Sequence, residues 1–257
     1  MNLGVNIDHI CVLRAARAVN DPDIIAAMYE AISAGADQIT VHLREDRRHI
    51  DENDALNITK LCKVPVNIEC SIEPSIIDII CDLKPKRATI VPERRAELTT
   101  EGGLNLNANG LKDAIKKLKE NEIEISLFID PTKDAIDATK ALGCDMVELH
   151  TGAYANAFLM LNSNLCHTKY SIPSLASLDK NALKVKLLNE LKNIQNTAIY
   201  ASNKAIKVAA GHGLNYQNVR QIAKIPEIFE LNIGQSIIAR SVFTGLNLAI
   251  KEMKALL

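Results

Sequence analysis

A short run of β-type residues followed by a helical run recurs eight times along this chain of 257 residues. Such strict alternation predicts a parallel sheet whose strands are joined by crossover helices. Eight units in a chain of this length match a (β/α)8 barrel, also called a TIM barrel, with extra helices. A doubly wound sheet is the alternative, but the first strand–helix turn, NIDHICVLR, lacks a G-x-G-x-x-G motif. We therefore expect a single (β/α)8 barrel domain over residues 1–257.

The boundaries of the repeating units follow from the same runs. Helical patterns cover residues 22–35, 74–84 and 236–257, and Ala34-Gly35 and Leu142-Gly143 are helix-stop signals before the next strand. The predicted strands span residues 3–8, 38–43, 64–70, 87–92, 124–130, 145–150, 206–211 and 227–233.

Within the predicted strands, apolar and polar residues alternate. In a barrel the apolar face packs under the helices and the polar face points into the lumen. Burying many polar groups is unfavourable unless they pair or bind something. The C-terminal end of a barrel is where active sites are built, so we favour an active site there over a merely hydrogen-bonded core. The inward polar residues are Asn6, Asp8, Thr40, His42, Arg44, Asn67, Glu69, Ser126, Asp130, Glu148, His150, His212, Glu230 and Asn232.

Two segments depart from the repeating unit. The loop at about 93–106 is long and contains glycine, and we expect it to act as a lid. An extended insertion at about 152–205 is longer than one crossover needs and includes a predicted helix over about 178–203. We expect this insertion to form a surface or an oligomer contact.

Composition excludes several classes of function. A formal net charge of −1 provides no field that would draw the chain to nucleic acid or an anionic membrane. No apolar run reaches the ~20 residues that span a bilayer, and Asp8 and His9 interrupt the stretch a signal peptide would need. The six cysteines are scattered without a C-x-x-C pair, as is typical of reduced thiols. We therefore expect a cytoplasmic protein.

Two features predict binding of phosphorylated small molecules. The loops after strands seven and eight contain Gly211, Gly213 and Gly234, where backbone N–H groups can approach an anion, and Ser236 is placed to cap the following helix. Arginine forks suit phosphate oxygens. Arg44 shares a face with His42, and the other arginines near these strand ends are Arg17, Arg47 and Arg48. For the last two the alternative is a solvated loop paired with Glu45 and Asp46.

Acid–base groups are the third signal. His42, Glu69, Glu148 and His212 lie on inward faces near strand ends, where imidazole and partly desolvated carboxylates can move protons. The same set could bind a metal, but the chain has no H-x-H or H-E-x-x-H spacing, so acid–base catalysis is favoured. No lysine occupies an inward C-terminal strand position, and an imine would therefore use an amine of the substrate.

Together these residues make the chain resemble the pyridoxine 5′-phosphate synthase family. The resemblance implies condensation of 3-amino-2-oxopropyl phosphate with 1-deoxy-D-xylulose 5-phosphate, without metal or organic cofactor, in a homo-oligomer that is an octamer in the family. The matching stretches are GVNIDHI (4–10), AGAD-ITVHLREDRRHI (34–50), VNIE (66–69), VPERR-E-TTEGGL (91–104), ISLFID (125–130), ELHTG (148–152), AGHGL (210–214) and ELNIG (230–234).

The same resemblance assigns roles to individual residues. His42 and Glu69 match proton acceptors, His212 a proton donor, and Glu148 a group that stabilises charge in the transition state. The positions that match the amino-ketone phosphate site are Asn6, Arg17, Gly213, Gly234 and Gln235. The positions that match the deoxyxylulose phosphate site are Asp8, His9, Arg44, His49 and Thr99.

The sequence departs from the family pattern at two places. Gln235 stands where the family commonly has histidine, which leaves binding unchanged only if the contact uses backbone N–H. The part of the insertion around 158–185 is longer than in the family. A phosphosugar epimerase or metal-assisted aldolase stays open as an alternative, as does a non-catalytic barrel that senses a phosphorylated ligand or serves as an assembly scaffold.

Overall fold

The computed structural model describes residues 1–93 and 102–257. Its strands form a closed barrel in sequence order, in which every neighbouring pair is parallel and β8 returns to pair with β1. The (β/α)8 fold predicted from the alternating pattern is confirmed. The strands are β1 Asn2–Asn6, β2 Gln38–His42, β3 Val66–Cys70, β4 Arg87–Ile90, β5 Glu124–Ile129, β6 Met146–His150, β7 Lys207–Gly211 and β8 Ile228–Ile233.

Helices surround the barrel, and local sequence explains where many of them begin. Pro74 occupies the first turn of its helix, where a missing N–H costs no hydrogen bond. Asp51 and Asp54 form a reciprocal capping box, and Thr132 and Asp179 accept backbone N–H groups at two other helix starts. The α-helices are α1 Asp8–Ala15, α2 Ile24–Ser33, α3 Glu52–Leu61, α4 Pro74–Leu83, α5 Leu111–Glu120, α6 Lys133–Ala141, α7 Gly152–Asn162, α8 Pro173–Ala176, α9 Lys180–Asn203, α10 Val219–Ala223, α11 Gln235–Thr244 and α12 Leu246–Lys254.

The apolar residues of the strands pack in the core and their polar residues face the lumen, as the alternation predicts. Apolar residues such as Val41 and Ile68 are fully buried in the main hydrophobic core. Polar residues from different strands meet by hydrogen bonds across the lumen: the Thr40 hydroxyl donates to Asn232 Oδ1, and Asn232 Nδ2 donates to Glu148 Oε2. The lumen is therefore filled by a network of hydrogen-bonded polar side chains, which reaches Glu148 near the C-terminal ends of the strands.

Two element ends differ from the prediction. Strand β1 ends at Asn6, and Asp8 begins α1, because the Asn6 side chain accepts the Asp8 N–H and turns the chain into the helix. The run predicted as one helix over 236–257 is two helices, separated at Gly245, whose φ of 79° and ψ of 154° interrupt helical geometry.

The insertion folds as a helical layer of its own. Helix α9 packs against α7 and α6, and a 3-10 turn and α8 lie between α7 and α9. A small apolar cluster, separate from the main core, stabilises this layer: Ala157, Met160, Leu175 and Leu183. Residues 94–101 of the predicted lid lie outside the described residues. Across the two described ranges, none of the helices combines the length and apolar character needed to cross a membrane.

Candidate active site

A cavity of about 440 Å³ opens at the C-terminal ends of the barrel strands. Apolar side chains of Val91, Phe128 and Leu159 complete its wall. Among the described residues to which the family resemblance assigns a role, all except Arg17 line this cavity. The predicted site residues that line the cavity are Asn6, Asp8, His9, His42, Arg44, His49, Glu69, Glu148, His212, Gly213, Gly234 and Gln235.

Arg17 and Thr99 have different outcomes. Arg17 lies exposed in the turn after α1 and does not line the cavity within the described chain. Thr99 lies outside the described residues. The predicted contributions of both to phosphate binding stay predictions.

A larger cavity of about 630 Å³ lies at the opposite, N-terminal end of the barrel. Three of the charged groups in its lining are linked: Glu124 accepts from both Arg87 and Lys207, and Arg87 also donates to Glu230. Groups that are already paired are poorly placed to bind a charged ligand or to move protons. The smaller cavity is the better candidate because it gathers imidazoles, carboxylates and Arg44 at the end of the barrel where (β/α)8 active sites are built.

His42, at the end of β2, sits between two carboxylates. Its Nε2 is 2.7 Å from Oε1 of Glu93, and its Nδ1 is 3.7 Å from Oε2 of Glu69 on the neighbouring strand. The His42 amide donates to Asp8 Oδ1 at 2.9 Å, which fixes the backbone beneath the ring. Burial, followed by the charges of Glu148 and Asp8, raises the pKa of Glu69 well above its usual range.

Glu148, on β6, is held from the lumen side. Asn232 donates to it at 2.7 Å, and Asn232 in turn accepts from Gln38 and Thr40. Burial raises the pKa of Glu148 to about 7, against the lowering effect of the Asn232 hydrogen bond. Gly211 lies beside the Glu148 carboxylate, and only glycine fits there, because a Cβ would come 2.2 Å from Glu148 Oε1. The carboxylate is therefore partly protonated near neutral pH.

His212 follows β7 in a strained backbone conformation. Its φ of 78° is unusual for a residue with a Cβ, and such strain is commonly kept at functional sites. The Thr151 hydroxyl bonds to its carbonyl oxygen, and the His150 ring lies 4.9 Å away between ring centroids. Burial, and then proximity to His150, lowers the pKa of His212 to about 4, so this ring is neutral near pH 7.

The part of the cavity predicted to bind anions combines side chains and backbone. Arg44 is buried beside Asp46, with Nε 3.3 Å from Oδ1, and the rings of His9 and His49 lie 5.8 Å apart. Burial lowers the pKa of His49 despite the opposing charge of Asp8. Nδ1 of His9 is buried with no hydrogen-bond partner in the described chain, an arrangement that a bound ligand can satisfy.

Arg47 and Arg48 agree only in part with the alternative prediction of a solvated loop in which they pair with Glu45 and Asp46. Arg48 pairs with Asp46, as that interpretation predicts, whereas Arg47 pairs with Glu52 and with backbone carbonyls instead of the Glu45 carboxylate.

Backbone groups after β7 and β8 form the other half of the predicted anion site. Gly213 has a φ of 77°, and a Cβ there would come 2.7 Å from Ala155 Cβ. Gly234 packs against Asn6, and α11 begins at Gln235, so the N-terminus of a ten-residue helix lies at the cavity. The predicted Ser236 cap is wrong, because the Ser236 hydroxyl lies within the helix and donates to Leu214 O.

Sequence reasoning left three nearby residues without a role. Glu93 follows β4 and contacts His42, while Asp130 Oδ1 lies 3.5 Å from Nδ1 of His150. Asp130 also accepts the Gly103 N–H at 3.0 Å. The alternation that identified His42 within β2 does not extend to Glu93, which lies three residues beyond the end of β4.

A closed (β/α)8 barrel that gathers imidazoles, carboxylates and a guanidinium in one cavity at its C-terminal rim defines a barrel enzyme using acid–base chemistry. In the part of the chain that is described, no group of three or more histidine, cysteine or carboxylate side chains is arranged to hold a metal ion. Comparison with known proteins gives the family. The chain matches the family described as "Pyridoxal phosphate biosynthesis protein PdxJ" over residues 3–257, and it belongs to that family.

Individual relatives agree with the family match. The chain is 62% identical over 256 residues to the pyridoxine 5′-phosphate synthase of Campylobacter fetus, covering 100% of this chain and 99% of the relative. It is 59% identical over 257 residues to the enzyme of that name from Campylobacter hominis, covering 100% of both. Among solved structures, N-(5′-phosphoribosyl)anthranilate isomerase from Pyrococcus furiosus superposes with a TM-score of 0.56 at 13% identity, covering 100% of this chain and 98% of that one. That likeness shows the fold alone.

Proposed function

We propose that this chain joins 3-amino-2-oxopropyl phosphate to 1-deoxy-D-xylulose 5-phosphate and closes the ring of pyridoxine 5′-phosphate, releasing inorganic phosphate and water. As a member of the PdxJ family it is an enzyme of pyridoxal phosphate biosynthesis, and its relatives named above carry the name pyridoxine 5′-phosphate synthase. The observation that carries the proposal is the meeting of His42, Glu69 and His212 in one cavity that also holds donors for anions.

The first bond is formed by the substrate itself. The amine nitrogen of one substrate attacks the ketone carbon of the other, and loss of water gives the imine. The described residues that line the cavity include no lysine, so the amine that forms this bond comes from the amino-ketone. Ring closure then needs several proton transfers and a second dehydration, which explains several acid–base groups around one pocket.

The pKa values divide the proton-transfer roles. Glu69, whose pKa is raised, is a strong base once ionised, and with His42 it accepts protons from carbon and nitrogen. His212 is neutral near pH 7, so it takes up a proton during the reaction before donating one to a leaving oxygen. Glu148, partly ionised, stabilises positive charge that develops on the imine.

The two phosphates bind at separate parts of the cavity. Arg44 and His49, with Asp8 and His9 beside them, hold the deoxyxylulose phosphate through charge-assisted hydrogen bonds. The amino-ketone phosphate lies against Gly213, Gly234 and the N-terminus of α11, where backbone N–H groups point outward. Gln235 keeps its backbone N–H, so the departure from histidine leaves this binding in place.

Assembly and location complete the proposal. Val242 and Phe243, at the end of α11, are 70% and 85% exposed, and exposed apolar area of this kind marks contacts between proteins. We infer a homo-oligomer, an octamer as the family resemblance implies. All six cysteines are free thiols, which favours the reducing cytoplasm. The formal net charge of −1 favours neither nucleic acid nor membrane as a partner.

The proposal is tested by incubating the purified chain with both phosphorylated substrates and a metal chelator. We expect pyridoxine 5′-phosphate to accumulate, followed by its absorbance, together with stoichiometric inorganic phosphate. The Glu69→Gln variant is the control, and it should bind both substrates but form little product because its side chain cannot accept a proton.

Each alternative function predicts a different result in this assay. Binding of both phosphates without product would favour a sensor or scaffold. Turnover that stops with chelator and returns with zinc or manganese would favour an epimerase or metal-assisted aldolase.

A further inference from the structure

We propose that Glu93 is a positioning residue that holds His42 with its hydrogen on Nε2, so that Nδ1 is the atom that accepts protons beside Glu69. This inference rests on the proposed function for its catalytic consequence. Glu93 was assigned no role from the sequence, and it lies just beyond β4, where no periodic pattern fixes the direction of its side chain.

Geometry fixes the His42 ring at both ends. Oε1 of Glu93 lies 2.7 Å from Nε2 of His42, and the Glu93 side chain is only 4% exposed. Its second oxygen, Oε2, accepts the Glu45 N–H at 3.0 Å, which anchors the carboxylate in one orientation. The His42 backbone is held in turn by Asp8. A ring bound in this way has little freedom to rotate.

Electrostatics decides which nitrogen carries the hydrogen. Burial alone would raise the pKa of Glu93, but the hydrogen bonds from His42 and from the Glu45 amide outweigh it and lower the pKa. An ionised carboxylate only accepts hydrogen bonds, so Nε2 must donate. In the neutral ring Nδ1 then carries the lone pair, and this nitrogen faces Oε2 of Glu69 at 3.7 Å.

The result is a row of three groups, Glu93, His42 and Glu69, contributed by the ends of three consecutive strands. The outer carboxylate stabilises the imidazolium that forms when Nδ1 takes a proton, as the buried acid of a carboxylate–histidine pair does in other enzymes. The other charged groups beside this row are Asp8, Arg44, Arg48 and Glu148. The Glu93 carboxylate is the charged group within hydrogen-bond distance of the ring.

The first test measures the tautomer in the wild-type chain. With ¹⁵N-labelled histidine, the ring-nitrogen shifts near neutral pH should show the hydrogen on Nε2 of His42. Loss of that signal in His42→Gln identifies it among the six histidines. A hydrogen found on Nδ1 would overturn the proposal, and this result does not depend on whether the chain forms product.

The second test measures turnover in Glu93→Gln. We expect kcat to fall by about 100-fold, the lower end of what a positioned acid–base group contributes, with KM little changed. The pH–rate profile should also change, because the variant lacks the carboxylate that contacts Nε2 of His42. Glu93→Asp should recover part of kcat, since it restores the charge.

The matched control is Glu52→Gln, which removes an exposed carboxylate that pairs with Arg47 outside the cavity. It should leave kcat and the pH profile unchanged. A Glu93→Gln variant with wild-type kcat and pH profile would overturn the role of Glu93. Absence of product from the wild-type chain would instead refute the proposed function.

Discussion

Glu148 and His212 line the same cavity, yet burial moves their pKa values in opposite directions. For Glu148 the charged form is the base, so burial raises its pKa to about 7; for His212 the charged form is the acid, so burial lowers its pKa to about 4. Near neutral pH the carboxylate is therefore partly protonated and the imidazole is neutral. Before substrates bind, the cavity carries less charge than its residue types imply.

The raised pKa of Glu148 predicts a dependence of stability on pH. The folded state binds this proton more tightly than the unfolded state, so the group's stabilising contribution falls as pH rises from about 4.5 to about 7. Glu148→Gln removes the titration. We expect the variant, relative to wild type, to gain about 1–3 kcal/mol of unfolding free energy between pH 5 and pH 8.

Urea denaturation of wild type and Glu148→Gln at both pH values measures this difference. Comparing the two chains cancels His212, whose lowered pKa acts in the other direction as pH falls through about 6.5 to 4. Glu120→Gln, on the exposed face of α5, serves as the control and should show no gain. Equal pH slopes for wild type and Glu148→Gln would contradict the raised pKa.

At the scale of elements, the strands and most of the polar residues at their C-terminal ends could be predicted, because both depend on an alternation that is visible over a few neighbouring residues. A period of two residues fixes which side chains point inward, and parallel register then sets His42 opposite Glu69 across β2 and β3. The predicted strand bounds lie within two residues of those observed.

The parts that could not be predicted lie where the chain leaves an element. Asp8 turns into α1 because of a hydrogen bond from its own amide to Asn6, and the contact between Glu93 and His42 depends on how β2 and β4 are placed by the strand between them. The shifted pKa values depend on burial, which no local pattern gives. Arg17 was included because it follows the first strand; it lies exposed in the turn after α1, and its contact with phosphate stays a prediction.

The break between α11 and α12 gives a prediction at this scale. Gly245 has φ 79° and ψ 154°, a conformation almost confined to glycine, and a Cβ there would meet no atom within 4 Å. Gly245→Ala should therefore destabilise the fold by about 1–3 kcal/mol through backbone strain alone, with kcat unchanged.

Urea denaturation measures that loss, with Gly110→Ala as a matched control. Gly110 also has positive φ and open space around a Cβ, but its ψ of −15° lies nearer the left-handed region that other residues can adopt. Its substitution should cost about 1 kcal/mol, less than that of Gly245. A Gly245→Ala variant as stable as wild type would show that the two helices can join without strain.

At the scale of the whole molecule, the two ends of the barrel differ in the groups they hold: ion pairs lie at the N-terminal end and the proposed active site at the C-terminal end. At the N-terminal end, Arg87 donates to Glu124 and Glu230. Hydrogen bonds through Gln38 and Asn232 then connect Glu230 to Glu148 along the lumen. The acid–base groups that line the proposed active site collect at the C-terminal rim. Outside the barrel, exposed apolar side chains include Val242 and Phe243 at the end of α11, Val185 and Leu188 on α9, and Leu13 and Val19 on and after α1.

The exposed end of α11 predicts how copies of the chain assemble. Phe243 is the more exposed of its two apolar residues, so a polar substitution there should disturb the isolated chain little but should oppose burial in an interface. We expect Phe243→Asp to convert the proposed octamer into smaller species in sedimentation velocity, with the barrel's circular dichroism retained. Val185→Asp, on α9, is the comparison, because Val185 is also exposed and lies in the insertion for which an oligomer contact was predicted. Dissociation by Val185→Asp alone would move the contact to the insertion, and a wild-type chain that sediments as a monomer would refute the oligomer itself.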